Sequence, residues 1–309
     1  MTTAVVFAYH DVGYNCLSVL LRHSVNVTLV VTHEDNPAEH IWFRSVAKLA
    51  AGHGLDVIAP DDSNVPAVVD RVRALQPDFL FSFYYRNMLT PALLEAPSRG
   101  ALNMHGSLLP KCRGRVPVNW AVINGERETG ATLHYMTVKP DAGDIVAQQA
   151  VPILPDETAG EVFEKVAAAA ANILDRSLPG LIAGTAPRTP QDLSKGTYCR
   201  GRRPEDGRID WRRSGREIHD LVRGVAPPYP GAFTVIAGRT LHLLSTRIES
   251  QAGARTAPRV YVDRGVCFAE CADGATLRII EMTLDGKPFS AADFSTRFGT
   301  NSLPLQIEP

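Results

Sequence analysis

The stretch Pro77-Asp-Phe-Leu-Phe-Ser-Phe-Tyr-Tyr85 is nearly all apolar and aromatic, and it reads as a buried strand. Around it, strand-like and helix-like runs alternate. Ala4–Ala8 and Val25–Thr32 are apolar and β-branched, with helical spacing between them over Cys16–His23. A helical pattern over Glu39–Ala51 leads to a short strand near Val57–Ile58. Pro66–Leu75 reads as an amphipathic helix, since a proline is tolerated in a first turn, where its missing N–H costs little. Phe79–Phe83, Ala101–Met104 and Ile145–Ile153 supply further strands. Such alternation specifies an α/β fold with a mostly parallel sheet and helices on its faces. Thr158, with Glu161 three residues on, forms a capping box for a helix to about Leu178.

The periodicity then breaks. Gly, Pro, Thr and Ser interrupt Pro179–Thr197, which suggests a crossing between domains. Beyond it come a short helical stretch, Ile218–Val225, and strand-like runs separated by Gly turns. These are Ala232–Ile236, Thr240–Ser245, Arg259–Val262, Val266–Ala269 and Ala275–Glu281. The spacing suggests a small β-barrel. The expected division is residues 1–190 as one domain and 191–309 as linker and second domain.

Bulk properties exclude several classes. With 309 residues, 45% hydrophobic and 21% charged, the chain is a globular type with ample core. It has no apolar run of membrane-spanning length. Its N-terminus enters a strand-like run without a charged, cleavable leader, so neither secretion nor membrane insertion is expected. Cys16, Cys112, Cys199, Cys267 and Cys271 form no Cys-x-x-Cys pair, and reduced thiols in a cytoplasmic protein are the expectation. Residues 1–190 carry 15 basic and 19 acidic side chains, and 191–309 carry 17 and 14. Neither half is a general nucleic-acid surface. The turn His10-Asp-Val-Gly-Tyr-Asn15 lacks the Gly-x-Gly-x-x-Gly arrangement of a dinucleotide site, and no P-loop is present.

The chemistry concentrates at Asn103-Met-His105-Gly-Ser-Leu-Leu-Pro110 and at Asp141 in Lys-Pro-Asp-Ala-Gly-Asp. In an open parallel sheet, ligands sit beyond the carboxyl ends of strands, which is where Asn103 and His105 fall. An amide, an imidazole and a carboxylate suffice for moving an acyl group onto an amine. Asn103 can donate from its amide, and His105 can donate or accept. Taken singly, each also has an ordinary reading: a turn cap, a satisfied buried polar group, the opening of a Gly-containing turn.

The pattern Asn-x-His-Gly-Ser-Leu-Leu-Pro with a downstream Asp-Ala-Gly-Asp resembles the formyltransferases that use 10-formyltetrahydrofolate. Phe7-Ala-Tyr-His-Asp11, Thr32-His-Glu-Asp-Asn-Pro37, Phe81-Ser-Phe-Tyr-Tyr-Arg86 and Leu109-Pro-Lys-Cys-Arg-Gly-Arg115 narrow it. They are similar to the formyltransferase half of the bifunctional polymyxin-resistance family, which formylates UDP-4-amino-4-deoxy-L-arabinose on the route to modified lipid A. The resemblance implies a Rossmann-like catalytic domain followed by an OB-like barrel. It implies 10-formyltetrahydrofolate as co-substrate, with no metal and no NAD, and a nucleotide-sugar acceptor. It also implies a separate NAD-dependent decarboxylase encoded elsewhere; the oligomeric state stays open.

Carried over onto this chain, the resemblance assigns catalysis to Asn103, His105 and Asp141. Asn103 and His105 would bind the formyl oxygen as it becomes negative; His105 could instead take the amine proton. Asp141 would hold His105 oriented or charged, or relay a proton to the leaving nitrogen. The folate site would be Asn87, Met88, Leu89, Arg115, Thr137, Val138, Lys139, Pro140 and Asp141, largely through backbone. Cys112 stands where the family often has an aromatic. Arg113 and Arg115 could meet a carboxylate or a diphosphate. Tyr84 and Tyr85 could face a ring or simply pack, and His10 with Asp11 reads as structural. Lys195–Arg216 holds eight basic and three acidic side chains, best read as a solvated stretch. The alternatives are formylation of another nucleotide-linked amino sugar, methionyl-tRNA formylation, and a folate- or nucleotide-binding regulator. Against tRNA stands His33-Glu-Asp-Asn-Pro-Ala-Glu-His40, short and acidic where that family carries a basic insertion.

Overall fold

A computed structural model of the chain describes residues 1–37 and 39–306. They form two compact units. The first comprises Met1–Pro117, Glu128–Pro152 and Phe163–Arg200; the second comprises Val118–Arg127, Ile153–Val162 and the chain from Gly201 onward.

In chain order the elements run β1 (Thr3–Ala8), α1 (His10–Arg22), β2 (Asn26–Val31), α2 (Val46–Gly52), β3 (Val57–Ile58), α3 (Pro66–Ala74), β4 (Phe79–Phe83), α4 (Pro91–Leu94) and β5 (Ala101–His105). There follow β6 (Arg113–Gly114), α5 (Pro117–Ile123), β7 (Glu128–Tyr135), β8 (Ile145–Pro152), α6 (Ala159–Ala183) and β9 (Tyr198–Cys199). The first unit's sheet has the order β3-β2-β1-β4-β5-β7-β8. β1 to β5 are parallel; β7 and β8 extend the sheet antiparallel. The chain steps outward from β1 to β3 and returns at β4 on the other flank of β1. That reversal opens a crevice beyond the carboxyl ends of β1 and β4, where such folds bind ligands. β4 is buried along its length, as its unbroken apolar run requires.

Three sequence expectations need correction here. The helix expected over Glu39–Ala51 is only α2, starting at Val46 behind Ser45, whose side chain accepts from the Lys48 amide at 3.2 Å. Tertiary contacts claim the residues before it. Phe43 stacks on His10 at 4.0 Å between ring centroids, and Arg44 Nε donates to Asp11 Oδ1 at 2.7 Å. At the other end, α6 runs past Leu178 and through Pro179 to Ala183. Leu178 and Leu181 are fully buried there, and the Arg99 guanidinium donates to the carbonyls of Leu181 and Ile182 at 2.6 and 2.9 Å. Those are helix-end carbonyls that would otherwise lack partners. The capping box itself forms as expected, with Thr158 N–H donating to Glu161 at 2.7 Å. Third, the thiols are not all reduced: Cys112 and Cys199 form a disulfide, while Cys16, Cys267 and Cys271 are free and buried.

The second unit contributes α7 (Gly215–Gly224), β10 (Ala232–Ile236), β11 (Arg239–Ser250), β12 (Arg259–Asp263), β13 (Val266–Glu270), β14 (Thr276–Leu284), β15 (Lys287–Pro288), α8 (Ala291–Phe298) and β16 (Ser302–Pro304). Its antiparallel sheet has the order β10-β11-β14-β13-β12-β16, with β15 on β14. Register shifts between β11 and β14 mark bulges, which increase twist and curl the sheet as an OB-like module needs. Its core gathers Trp211, Leu241, Leu243, Val260, Leu277 and Phe294. Among the described residues, no helix is long and apolar enough to cross a membrane.

Candidate active site

Strand geometry assembles the site. Successive residues of a strand face opposite sides, so Asn103 and His105 on β5 share one face. In the antiparallel pairing of β5 with β7, Asn103 lies directly across from His134, which puts a second imidazole on that face. Asp141, in the loop from β7 to β8, folds over it. Its Oδ1 lies 3.3 Å from Asn103 Nδ2, 3.6 Å from His105 Nδ1 and 3.5 Å from His134 Nε2. Its Oδ2 accepts the Gly114 amide at 2.9 Å. The three side chains expected to meet therefore do meet, and His134 joins them. Sequence reasoning missed His134 because β7 reads Glu-Thr-Gly-Ala-Thr-Leu-His-Tyr, too polar to stand out as a strand.

Hydrogen-bond partners settle orientation. The Cys112 carbonyl can only accept, so His105 Nε2, 2.9 Å away, carries a hydrogen and donates to it. That leaves Nδ1 toward Asp141. The Tyr135 carbonyl likewise takes the Nδ1–H of His134 at 2.9 Å, leaving Nε2 to accept from Asn103 Nδ2 at 3.2 Å. Burial pushes the His105 pKa below the usual imidazole value, outweighing the upward pull of Asp141 and the Cys112 carbonyl. Burial alone would raise Asp141, but attraction to the imidazoles in their charged form and the Gly114 N–H hold its carboxyl well below the usual carboxylate range. At neutral pH the resting site thus pairs a neutral His105 with an ionised Asp141.

Supporting contacts fix the loops. Gln191 Nε2 donates to the carbonyls of Asp141 and Gly143 at 3.1 and 2.6 Å. Buried Thr132 donates to the Ser107 carbonyl at 2.6 Å and pins the turn after His105. Gly143 has no room for a side chain: a Cβ there would lie 2.1 Å from the Tyr135 carbonyl oxygen. Gly143→Ala should therefore push the Asp141 loop off the imidazoles. The expected result is a loss of about 10²-fold in kcat from a displacement near 1 Å, read by steady-state kinetics on protein whose thermal unfolding is recorded in parallel.

The other expected positions are placed as follows. The Asn87–Leu89 segment is held by Asn64, whose Nδ2 donates to the Met88 carbonyl at 3.0 Å and whose Oδ1 accepts the Thr90 amide at 2.8 Å. Leu89 is buried in the core that Met136 also packs against, which anchors this segment and the start of the loop carrying Thr137, Val138, Lys139 and Pro140 in one cluster. Met88 and Val138 are 55% and 69% exposed. Arg115 follows β6, its amide bonded to the Cys199 carbonyl at 2.8 Å and its side chain exposed. Tyr85 packs, stacked on His33 at 4.1 Å, whereas the Tyr84 hydroxyl abuts Gly106 in the turn after His105.

His10 lies among Trp42, Phe43 and Phe163, with centroids 4.6, 4.0 and 4.6 Å away. Burial pushes its pKa down to about 4 despite the Asp11 charge. The unfolded chain takes up this proton near pH 6.5 and the folded chain only near 4, so the stability His10 contributes is present above 6.5 and lost as pH falls through that window. We expect wild type to lose on the order of 2–3 kcal/mol more than His10→Asn between pH 7 and 4, measured by urea unfolding. Asn is the apt control because residue 10 has φ 65, which Asn tolerates.

Comparison with known proteins assigns the chain to a family. A family model described as formyl transferase matches residues 16–178, and one described as formyl transferase, C-terminal domain, matches 202–299. The fold is similar to an N-formyltransferase from Helicobacter canadensis, solved with folinic acid and dTDP-3-aminofucose. The TM-score is 0.74 at 17% identity, covering 94% of this chain and 100% of that one. WlaRD, a sugar 3N-formyl transferase solved with dTDP and 5-N-formyl-THF, gives 0.70 at 17%, covering 90% and 97%. A 4-N formyltransferase from Francisella tularensis gives 0.61 at 21%, covering 75% and 91%. With the N-terminal family model alone spanning more than half of its length, this chain belongs to the formyl transferase family.

Proposed function

We propose that the protein transfers the formyl group of 10-formyltetrahydrofolate to the amine of a nucleotide-linked amino sugar, with UDP-4-amino-4-deoxy-L-arabinose as the acceptor. The convergence of Asn103, His105 and Asp141 on one face of β5 and β7 carries the reading. The folate supplies an activated one-carbon unit on nitrogen. The acceptor amine forms the new C–N bond as the old one breaks, and the proton it loses ends on the departing folate nitrogen. The Asn103 amide donates toward the developing oxyanion; its resting bonds of 3.2 and 3.3 Å are long enough to be exchanged for a shorter one. Neutral His105 receives the amine proton at Nδ1, and Asp141 Oδ1 stabilises the imidazolium formed. Asn87, Met88, Leu89, Arg115 and Thr137–Asp141 form the folate subsite. Exposed Met88 and Val138 suit a flat, partly apolar ligand. Residues 1–190 would be the catalytic domain of a cytoplasmic enzyme, and 191–309 its linker and OB-like module.

A nucleotide sugar is favoured over tRNA because charges that could meet a polyanion are already engaged. Arg86 makes two bonds to Glu39 at 2.9 and 2.8 Å, and Tyr9 donates to Asp35 at 2.8 Å. In the basic run, Lys195, Arg212, Arg213 and Arg216 each lie within ion-pair distance of an acid. Affinity for RNA rests on cations free to neutralise phosphates. The test incubates the protein with 10-formyltetrahydrofolate and a panel of UDP- and dTDP-amino sugars beside charged initiator tRNA. Mass spectrometry should find a formylated UDP-4-amino sugar; product from tRNA alone would overturn the proposal.

A further inference from the structure

The disulfide between Cys112 and Cys199 closes 87 residues of chain at a point where two catalytic groups find their partners. The Cys112 carbonyl accepts from His105, and two residues later the Gly114 amide donates to Asp141. The same short segment is stitched to the strap at 197–199. Cys112 N–H donates to Thr197 Oγ1 at 2.8 Å, Arg113 N–H to the Thr197 carbonyl at 3.0 Å, and Arg115 N–H to the Cys199 carbonyl at 2.8 Å. Contact is close: Gly114 has φ 102, and a Cβ on it would lie 2.4 Å from the Cys199 carbonyl oxygen.

Beside the covalent link, these backbone bonds fasten the strap. The β6–β9 pairing is two residues long, and a sheet that short is marginal alone. Lys195, Thr197, Tyr198 and Arg200 are exposed, so local opening costs few apolar contacts. Cys112 itself sits at φ 48, a left-handed conformation that non-glycine residues keep only where their surroundings enforce it.

We propose that Cys112 and Cys199 are a reversible thiol–disulfide exchange site that sets the rate of formyl transfer by positioning the loop around His105 and Asp141. The proposal rests on the assignment of those two residues to the transfer. The exchange partner is a dithiol reductant. Its first thiolate attacks Sγ of Cys112, the more accessible of the pair; the S–S bond breaks and Cys199 leaves as a thiolate that takes a proton. The second thiol then displaces Cys112, leaving the reductant as a disulfide, so two electrons and two protons pass to the protein. Reduced, Cys112 can leave φ 48, withdrawing its carbonyl from His105 and the Gly114 amide from Asp141. Oxidation by a low-molecular-weight disulfide restores the fastened loop. Cys16, Cys267 and Cys271, all buried, stay outside the exchange.

The experiment compares full-length protein treated with oxidised glutathione and with dithiothreitol. Alkylation and peptide mass spectrometry define the thiol state. The expected outcome is a linked 112–199 peptide in the oxidised form, kcat about tenfold lower after reduction, and recovery on reoxidation. Cys199→Ser should show the reduced-form rate under both treatments. Amide hydrogen exchange at Gly114 and Arg115 should accelerate on reduction, which an activity-neutral crosslink elsewhere would not produce. Equal kcat in the two forms overturns the proposal, as does failure of oxidised glutathione to link the peptides. If no acceptor in the panel is formylated, unchanged exchange at Gly114 and Arg115 overturns it, so the acceptor assignment and the redox site can fail separately.

Discussion

His105→Ala is expected to lower kcat by roughly 10³-fold while leaving KM and thermal stability close to wild type. What disappears is the acceptor of the amine proton, worth about 10²–10⁴. Asp141→Asn should fall in the same range, since an amide cannot stabilise the imidazolium. The double variant should be no slower than the slower single one, because the pair acts as a unit. Acidification offers a second reading. With the His105 pKa pushed down by burial, wild-type kcat/KM should hold below the usual imidazole value and fall only when the ring protonates in the free enzyme. Steady-state kinetics from pH 5 to 8 measures both. A His105→Ala enzyme retaining a tenth of wild-type kcat would remove the imidazole from the chemistry.

The largest stability effect should come from Trp211→Ala. The indole is 1% exposed at the centre of the second unit's core, and its Nε1–H donates to Thr234 Oγ1 at 3.0 Å. Truncating a buried tryptophan costs about 3–5 kcal/mol. Trp211→Phe keeps most of the packing and loses the bond, for which about 1 kcal/mol is expected. Urea midpoints of the full chain would rank wild type above Phe and Phe above Ala. Equal midpoints for the two variants would show that the hydrogen bond, not the packing, secures this site.

The parts of the fold that were legible in the sequence are those where local pattern and tertiary environment agree. β4 announced itself by an unbroken apolar run, and the Thr158–Glu161 box by its spacing. What escaped depended on partners distant in sequence. β7 is buried yet polar in composition, and only its register against β5 shows why: His134 is needed opposite Asn103. The residues before α2 carry a helical rhythm, but aromatic contacts with His10 outweigh that preference. The disulfide joins cysteines 87 residues apart, a spacing without a signature. In the candidate site, Asn103, His105 and Asp141 were legible through motif and strand-end position. Asn64, Gln191 and His134 were not, since each acts by holding another residue in place.

The pairing of β5 with β7 has a consequence for how such an enzyme can change. Asn103, His105 and His134 owe their common side to the alternation of a strand, and a slip by a single residue would turn His134 to the opposite side. Their spacing is therefore as rigid as the sheet, and under the proposed function a substitution that disturbs it is expected to cost activity. The segments after β1 and β2 bear no such obligation. Acceptor preference can drift there, residue by residue, while the transfer machinery stays untouched.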